Sequence, residues 1–195
     1  NNKNYFFYIK YNFENYIKNL LATLSVLNLL SLNFNKLKFH FLKFDLPEGR
    51  GDLKKINIYK KKITFIDESY NANPLSMKLA IRNLDKYKQK EGKKIIFLGD
   101  MLELGKYSRK NHRLLSKLIN KTNIDRVFVC GKEIKETFKY LLNKKKGKII
   151  KNPNSVFEIL KKDISNNDTI MIKGSNATGF YKLSQNLKKG TFNAV

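Results

Sequence analysis

What this sequence has little of narrows it first. It has one cysteine, Cys130, in 195 residues, which excludes a disulfide scaffold and any Cys-based zinc site and fits a reducing compartment. Its two histidines, His40 and His112, lie far apart in the chain, so a transition-metal site lacks a ligand set. No apolar run is long enough to span a bilayer, because the greasiest, Leu20 to Leu32, is broken by Thr23, Ser25, Asn28 and Ser31. Residues 1–10 do not show the apolar core and small-residue cleavage site of a signal peptide. The phosphate-binding patterns G-x-x-x-x-G-K-[ST] and G-x-G-x-x-G are both missing. Acidic residues are scarce too, 16 against 40 basic ones, for a net charge of +24.

That charge invites a nucleic-acid or membrane-surface reading, but composition argues against it. Of the cations 35 are Lys and 5 are Arg, while Asn reaches 24, Ile 18 and Ala only 5. Lys, Asn, Ile and Phe rising as Arg, Ala and Gly fall is what an AT-rich coding sequence produces. The excess is also even, +8 over residues 1–62 and +16 over residues 63–195; a nucleic-acid arm would concentrate it. With 42% hydrophobic and 12% aromatic residues the chain can fill a core. The composition fits a cytoplasmic α/β protein, and Asn rather than Met at position 1 suggests a piece of a longer chain.

Along the chain, Tyr5 to Ile9 reads as a short strand. Ile17, Leu20, Leu21, Leu24, Leu27 and Leu30 recur at helical spacing from Glu14 onward, and Leu37 to Phe44 reads as a second helix. The loop Leu46-Pro47-Glu48-Gly49-Arg50-Gly51-Asp52 breaks both periods and marks a domain boundary. Beyond it, apolar runs at Ile63–Ile66, Lys94–Leu98, Arg126–Cys130, Lys148–Ile150 and Thr169–Ile172 alternate with helical stretches near 76–90, 108–120, 132–143, 155–162 and 179–187. That alternation predicts βαβ crossovers and a mainly parallel sheet, with Ile95-Ile96-Phe97-Leu98 covered on both faces.

Ligands of such sheets bind at the carboxyl ends of the strands. There the sequence gathers Asp67-Glu68-Ser69-Tyr70-Asn71-Ala72-Asn73-Pro74, Gly99-Asp100-Met101-Leu102-Glu103-Leu104-Gly105, Gly131-Lys132 and Lys173-Gly174-Ser175-Asn176-Ala177-Thr178-Gly179. Each cluster has two readings. Asp67 either caps a turn or accepts hydrogen bonds from a ribose diol. Asn71 and Asn73 either serve the turn into a helix that Pro74 begins or meet a ligand. Lys173-Gly174-Ser175 either opens a helix whose N–H groups attract an anion or supplies an ordinary Ser cap. His112 sits inside a helix, facing core or solvent, and Cys130 packs at the end of a strand.

Residues 66–74 with Ser76-Met77 resemble the D-[DE]-S-Y-N-A-N-P-x-S-M segment of the Mur ligase family, in the branch that adds D-alanyl-D-alanine. Residues 99–105 resemble that branch's G-D-M-x-E-L-G, and His112, Gly131 and Lys173-Gly174-Ser175 fall where it has corresponding residues. Asn15 to Ala22 resembles the family's H-N-x-x-N-A-L-A-A helix start, with Glu14 in place of the His. Glu48-Gly49-Arg50 resembles its P-G-R loop, with Glu48 in place of the Pro.

The resemblance implies that residues 1–53 end a central ATPase domain and that 54–195 form a Rossmann-like C-terminal domain. The UDP-binding domain, the phosphate loop and the carbamylated lysine that helps hold Mg²⁺ would lie outside this sequence. It implies an ATP-dependent ligase joining D-alanyl-D-alanine to UDP-N-acetylmuramoyl-tripeptide, monomeric, with no nucleic-acid partner and no membrane insertion. Asn15 and Asn19 then match asparagines near the adenine, Arg50 the arginine at the ATP phosphates and Asp67 the aspartate at the ribose. Asn71 and Asn73 fall by the nucleotide, and Lys173, Ser175, Asn176 and Thr178 near the incoming dipeptide. No metal ligand is implied in this part. The alternative is a non-catalytic basic Rossmann-like module that binds nucleotide or nucleic acid.

Overall fold

In Ile95-Ile96-Phe97-Leu98 successive side chains go to opposite sides of the backbone, as in any strand. Ile95 and Phe97 enter one core and Ile96 and Leu98 the other, so the strand is buried on both faces. The computed structural model describes residues 4–10, 14–45 and 47–190. The chain divides into two units, Asn1–Leu46 and Pro47–Val195.

In the first unit, helix α1 (Glu14–Leu29) opens with a Glu14–Lys18 ion pair one turn apart, at 2.8 Å. Ile17, Leu20, Leu24 and Leu27 form its half-buried stripe, while Leu21 and Leu30 fall outside it and are exposed. The strand expected at Tyr5–Ile9 is not formed: that segment holds a backbone bond from Tyr8 to the Lys38 carbonyl, and no ladder. Nor is 37–44 one helix. It breaks into the 3₁₀ turns Phe34–Leu37, capped by Asn33, and His40–Leu42. The aromatic rings there pack on one another, Tyr5 and Phe7 on Phe34 and Phe7 on Phe41, so no continuous helical stripe exists to support a longer helix.

The second unit is a six-stranded sheet of β1 (Asp52–Ile58), β2 (Lys61–Glu68), β3 (Lys94–Gly99), β4 (Arg126–Cys130), β5 (Lys146–Ile150) and β6 (Thr169–Lys173), in the order β1-β2-β6-β3-β4-β5. Five strands are parallel, as the α/β reading requires. Strand β1 was not legible; it pairs antiparallel with β2 at the sheet edge. Its Lys54 and Lys55 are exposed, as edge strands favour, and the hairpin turns on Tyr59 and Lys60, at φ 47° and 62°. Neither is the Asn or Gly that usually announces such a turn.

Helices α2 (Pro74–Lys86), α3 (Ser108–Ile119) and the short α4 (Lys135–Lys139) cover one face through Met77, Ile81, Leu84, Leu115 and Ile119. Helices α5 (Ser155–Lys162) and α6 (Phe180–Lys189) cover the other through Val156, Leu160, Phe180, Leu183 and Leu187. The longer helix expected at 132–143 reduces to α4 with turns on either side. Because β6 lies between β2 and β3 but sends its helix to the opposite face from theirs, the chain reverses its winding there. Such switch points open a crevice at the carboxyl ends of the strands.

Candidate functional site

At the carboxyl end of β2, Asp67 and Glu68 point to opposite faces, and each meets a lysine. Asp67 points to the α6 face and is fully buried. Its Oδ1 accepts from Ser69 N at 3.1 Å and Ser69 Oγ at 2.5 Å, and its Oδ2 lies 2.8 Å from Lys188 Nζ on α6. The same ammonium is 3.0 Å from Oδ2 of Asp52, the residue opposite Asp67 across the β1–β2 ladder. Burial alone would lower the Lys188 pKa, but hydrogen bonds to Asp67 and Asp52 outweigh it and hold it above the ordinary value.

Glu68 points to the α2 face, beside its ladder partner Lys173 on β6, with Oε2 at 3.3 Å from Nζ. Lys173 is 1% exposed and also donates to the Asn71 carbonyl at 3.0 Å and the Glu68 carbonyl at 3.4 Å. Burial pushes both groups toward neutrality. The Glu68 carboxyl rises despite Lys173, and the Lys173 ammonium falls despite Glu68, with Arg50 lowering it further.

The end of β6 joins three loops through Ser175. Its N–H donates to the Asp100 carbonyl at 3.0 Å. Its Oγ accepts from Leu102 N at 3.1 Å and donates to the Ala72 carbonyl at 3.4 Å. Ser175 stands at the start of the 3₁₀ turn Asn176–Thr178 without a side-chain cap bond to it, and α6 starts only at Phe180. Gly174 allows the close approach, since a Cβ there would stand 3.0 Å from the Cα of Gly99.

Asp100, at the end of β3, accepts from Ile134 N at 2.7 Å and Lys132 N at 3.0 Å. Its carboxylate occupies the space a side chain at Gly131 would need, where φ is +141°. His112 is buried on α3, and its Nε2 accepts from Met101 N at 3.0 Å. The ring proton therefore sits on Nδ1, 2.9 Å from the Ser108 carbonyl. His112 thus holds the 99–105 loop in place.

Arg50 is exposed, with its guanidinium 4.6 Å from the centre of the Tyr70 ring. Asn71 and Asn176 are exposed at the same edge, and Thr178 Oγ1 donates to the Ser175 carbonyl at 2.6 Å. The turn reading fits Asn71, whose Oδ1 accepts from Ala72 N, and Asn73, which caps α2 in a reciprocal box with Ser76. Of the sequence-predicted residues the fold thus brings Arg50, Asp67, Asn71, Asn73, Lys173, Ser175, Asn176 and Thr178 to one sheet edge. Asn19 is exposed on α1 in the other unit; Asn15 belongs to the same helix, and its side chain lies outside what is described.

Sequence reasoning gave no role to Glu68, although it lies in the motif, and passed over Lys188 and Asp52. Lys188 lies in a helix with Lys182 and Lys189, and nothing in that run singles it out. Among the described residues, no three His, Cys, Asp or Glu side chains converge as a metal site, and no helix is long and apolar enough to cross a membrane.

The edge carries an exposed guanidinium and exposed amides over loops fixed by buried ion pairs. Such a surface can receive an anionic, hydrogen-bonding ligand with little reorganisation. Residues 50–176 match the family described as "Mur ligase, glutamate ligase domain". The UDP-N-acetylmuramoyl-tripeptide–D-alanyl-D-alanine ligase of Buchnera aphidicola subsp. Acyrthosiphon pisum (strain APS) is 36% identical over 180 residues, covering 89% of this chain and 36% of its own. That of Buchnera aphidicola subsp. Baizongia pistaciae (strain Bp) is 32% identical over 161 residues, covering 82% and 33%. The chain spans about a third of the length of these relatives. In fold it is similar to MurF ligase from Thermotoga maritima in complex with ADP, at TM-score 0.75 and 23% identity over 92% of this chain and 39% of that one. MurF from Acinetobacter baumannii gives TM-score 0.76 and 21% identity over 93% and 39%.

Proposed function

The chain belongs to the Mur ligase family, and from that premise we propose that it supplies the C-terminal part of a cytoplasmic, monomeric ligase joining D-alanyl-D-alanine to UDP-N-acetylmuramoyl-tripeptide at the expense of ATP. The observation that carries this reading is the convergence of residues 67–74 and 99–105 on one sheet edge, joined by Ser175. We take residues 1–53 as the end of the ATPase domain and 54–195 as the C-terminal domain.

In the proposed reaction the tripeptide's terminal carboxylate oxygen attacks the γ-phosphorus of ATP, and ADP leaves. The amine of D-alanyl-D-alanine then attacks the acyl carbon, loses a proton, and inorganic phosphate departs. The protein's task is to gather anionic reactants and hold them in line. Arg50, exposed and carrying a planar fork of donors, is assigned to the ATP phosphates. Asn15 and Asn19 are assigned to the adenine, and Asn71 and Asn73 to the nucleotide. Asp67 is assigned to the ribose side. Because both its oxygens face Ser69 and Lys188, its contribution here is to fix the loop that meets the sugar. Asn176 is assigned to the dipeptide carboxylate, on a turn held by Lys173, Ser175 and Thr178. Mg²⁺ would neutralise phosphate charge, and its ligands are assigned to the part of the ligase outside this chain.

The test is phosphate release by this chain joined to the upstream part of the ligase. Release should need ATP, the tripeptide nucleotide and D-alanyl-D-alanine together, and equal turnover with D-glutamate would sink the assignment. The 195-residue chain alone should give none. Turnover by the chain alone would overturn the division of labour proposed here.

A further inference from the structure

The turn that carries Arg50 is held from the far end of the sequence. We propose that Lys188, on α6, is a positioning residue: it fixes the Glu48–Asp52 turn and through it the place of the Arg50 guanidinium. Its ammonium sits between Asp52 and Asp67, at 3.0 and 2.8 Å, and its side chain is 6% exposed. Asp52 passes that constraint on, because its other oxygen accepts from Gly49 N at 3.1 Å. The turn is also tied to β2 by Gly51 N donating to the Asp67 carbonyl at 2.7 Å and by Tyr70 N donating to the Gly49 carbonyl at 3.1 Å. Gly49 lies at φ +73°, and a Cβ there would stand 2.9 Å from Tyr70 N, so the turn has little room to relax.

The same helix supports the surface under Arg50, since the Tyr181 ring meets Tyr70 edge-on at 5.8 Å. Without Lys188, two carboxylates would face each other across β1 and β2, one of them fully buried. A buried charge left unpaired is strongly unfavourable, and the turn bonded to the Asp52 carboxylate and the Asp67 carbonyl is the segment that losing Lys188 would loosen. The inference rests on the proposed function only for the value of placing Arg50, and its test uses no nucleotide.

The test is residue-resolved amide exchange of the 195-residue chain and its Lys188→Met and Lys188→Arg variants. In Lys188→Met the amides of Gly49, Gly51 and Tyr70 should exchange about tenfold faster while those of Ile96 and Val129 keep their rates, and Lys188→Arg should restore most of the protection. Unchanged turn amides, or acceleration by one common factor across turn and core, would overturn the proposal. Should Lys188→Met not fold, Asp52→Asn carries the test, because it leaves the Lys188–Asp67 pair in place. The same turn amides should accelerate, and their staying protected would count against the proposal.

Discussion

Asp67 and Glu68 adjoin in sequence yet meet different lysines, because a strand sends neighbours to opposite faces. The two lysines respond oppositely to their surroundings. Lys188 is held above the ordinary 10.5 by Asp67 and Asp52, which outweigh its burial. Lys173 is pushed below 10.5 by burial that Glu68 only partly offsets. A lysine with a raised folded pKa gives stability that is fully present below its unfolded value and lost as pH rises through the folded one. The advantage of the wild type over Lys188→Met should therefore hold up to 10.5 and decline only above it. For Lys173 the sign reverses: the folded state binds fewer protons than the unfolded, so the wild type should gain on Lys173→Met as pH climbs from the lowered value to 10.5. Urea unfolding of the three proteins from about pH 8 to 11 checks both; curves of the same slope for the two variants would contradict the assignment. At this scale the motif residues were legible by name, but their partners were not. Lys173 stood out through its motif, but Lys188 looks like any of the 35 lysines until the fold buries it.

At the scale of elements, the sequence identified what repeats. The βαβ alternation and the doubly buried strands β3 and β4 follow from continuous apolar runs, and Asn73-Pro74 marks the start of α2 where the cap is found. It failed where an element depends on a partner. Strand β1 carries exposed Lys54 and Lys55 and acquires strand geometry by pairing with β2. Its hairpin turn places exposed Lys60 at φ 62°, a conformation costly for any residue with a Cβ. Lys60→Gly should accordingly stabilise the unit by about 0.5–1 kcal/mol, after allowing for the added freedom of the unfolded chain. A urea midpoint that stays or falls would show that the turn is not strained. The 37–44 segment failed as a helix for a related reason, because the aromatic rings there pack on one another across the unit and not along one stripe.

Over the whole molecule the net charge of +24 dominates long-range electrostatics. Exposed ion pairs such as Lys162–Glu158 at 3.3 Å and Lys148–Asp163 at 3.5 Å contribute little each, while repulsion among 40 cations acts over the whole surface. Raising NaCl from about 0.02 to 0.5 M shortens the screening length several-fold, so the urea midpoint should rise. A falling midpoint would mean that attractive pairs outweigh the repulsion. Of the five arginines, Arg50 alone stands on the turn beside the strand ends where the family motifs gather.

The sequence by itself determined the family, the α/β class and the edge of the sheet where the motif residues gather, because these depend on local runs and on ordered motifs that survive compositional drift. Only the tertiary structure decided how the charged residues of that edge are buried and paired. Burial and pairing are properties of three dimensions: Lys188 is separated from Asp52 and Asp67 by most of the second unit in sequence and comes within 3.0 Å of each in the fold. That contact makes a motif aspartate a fixed support and ties the turn bearing Arg50 to the last helix.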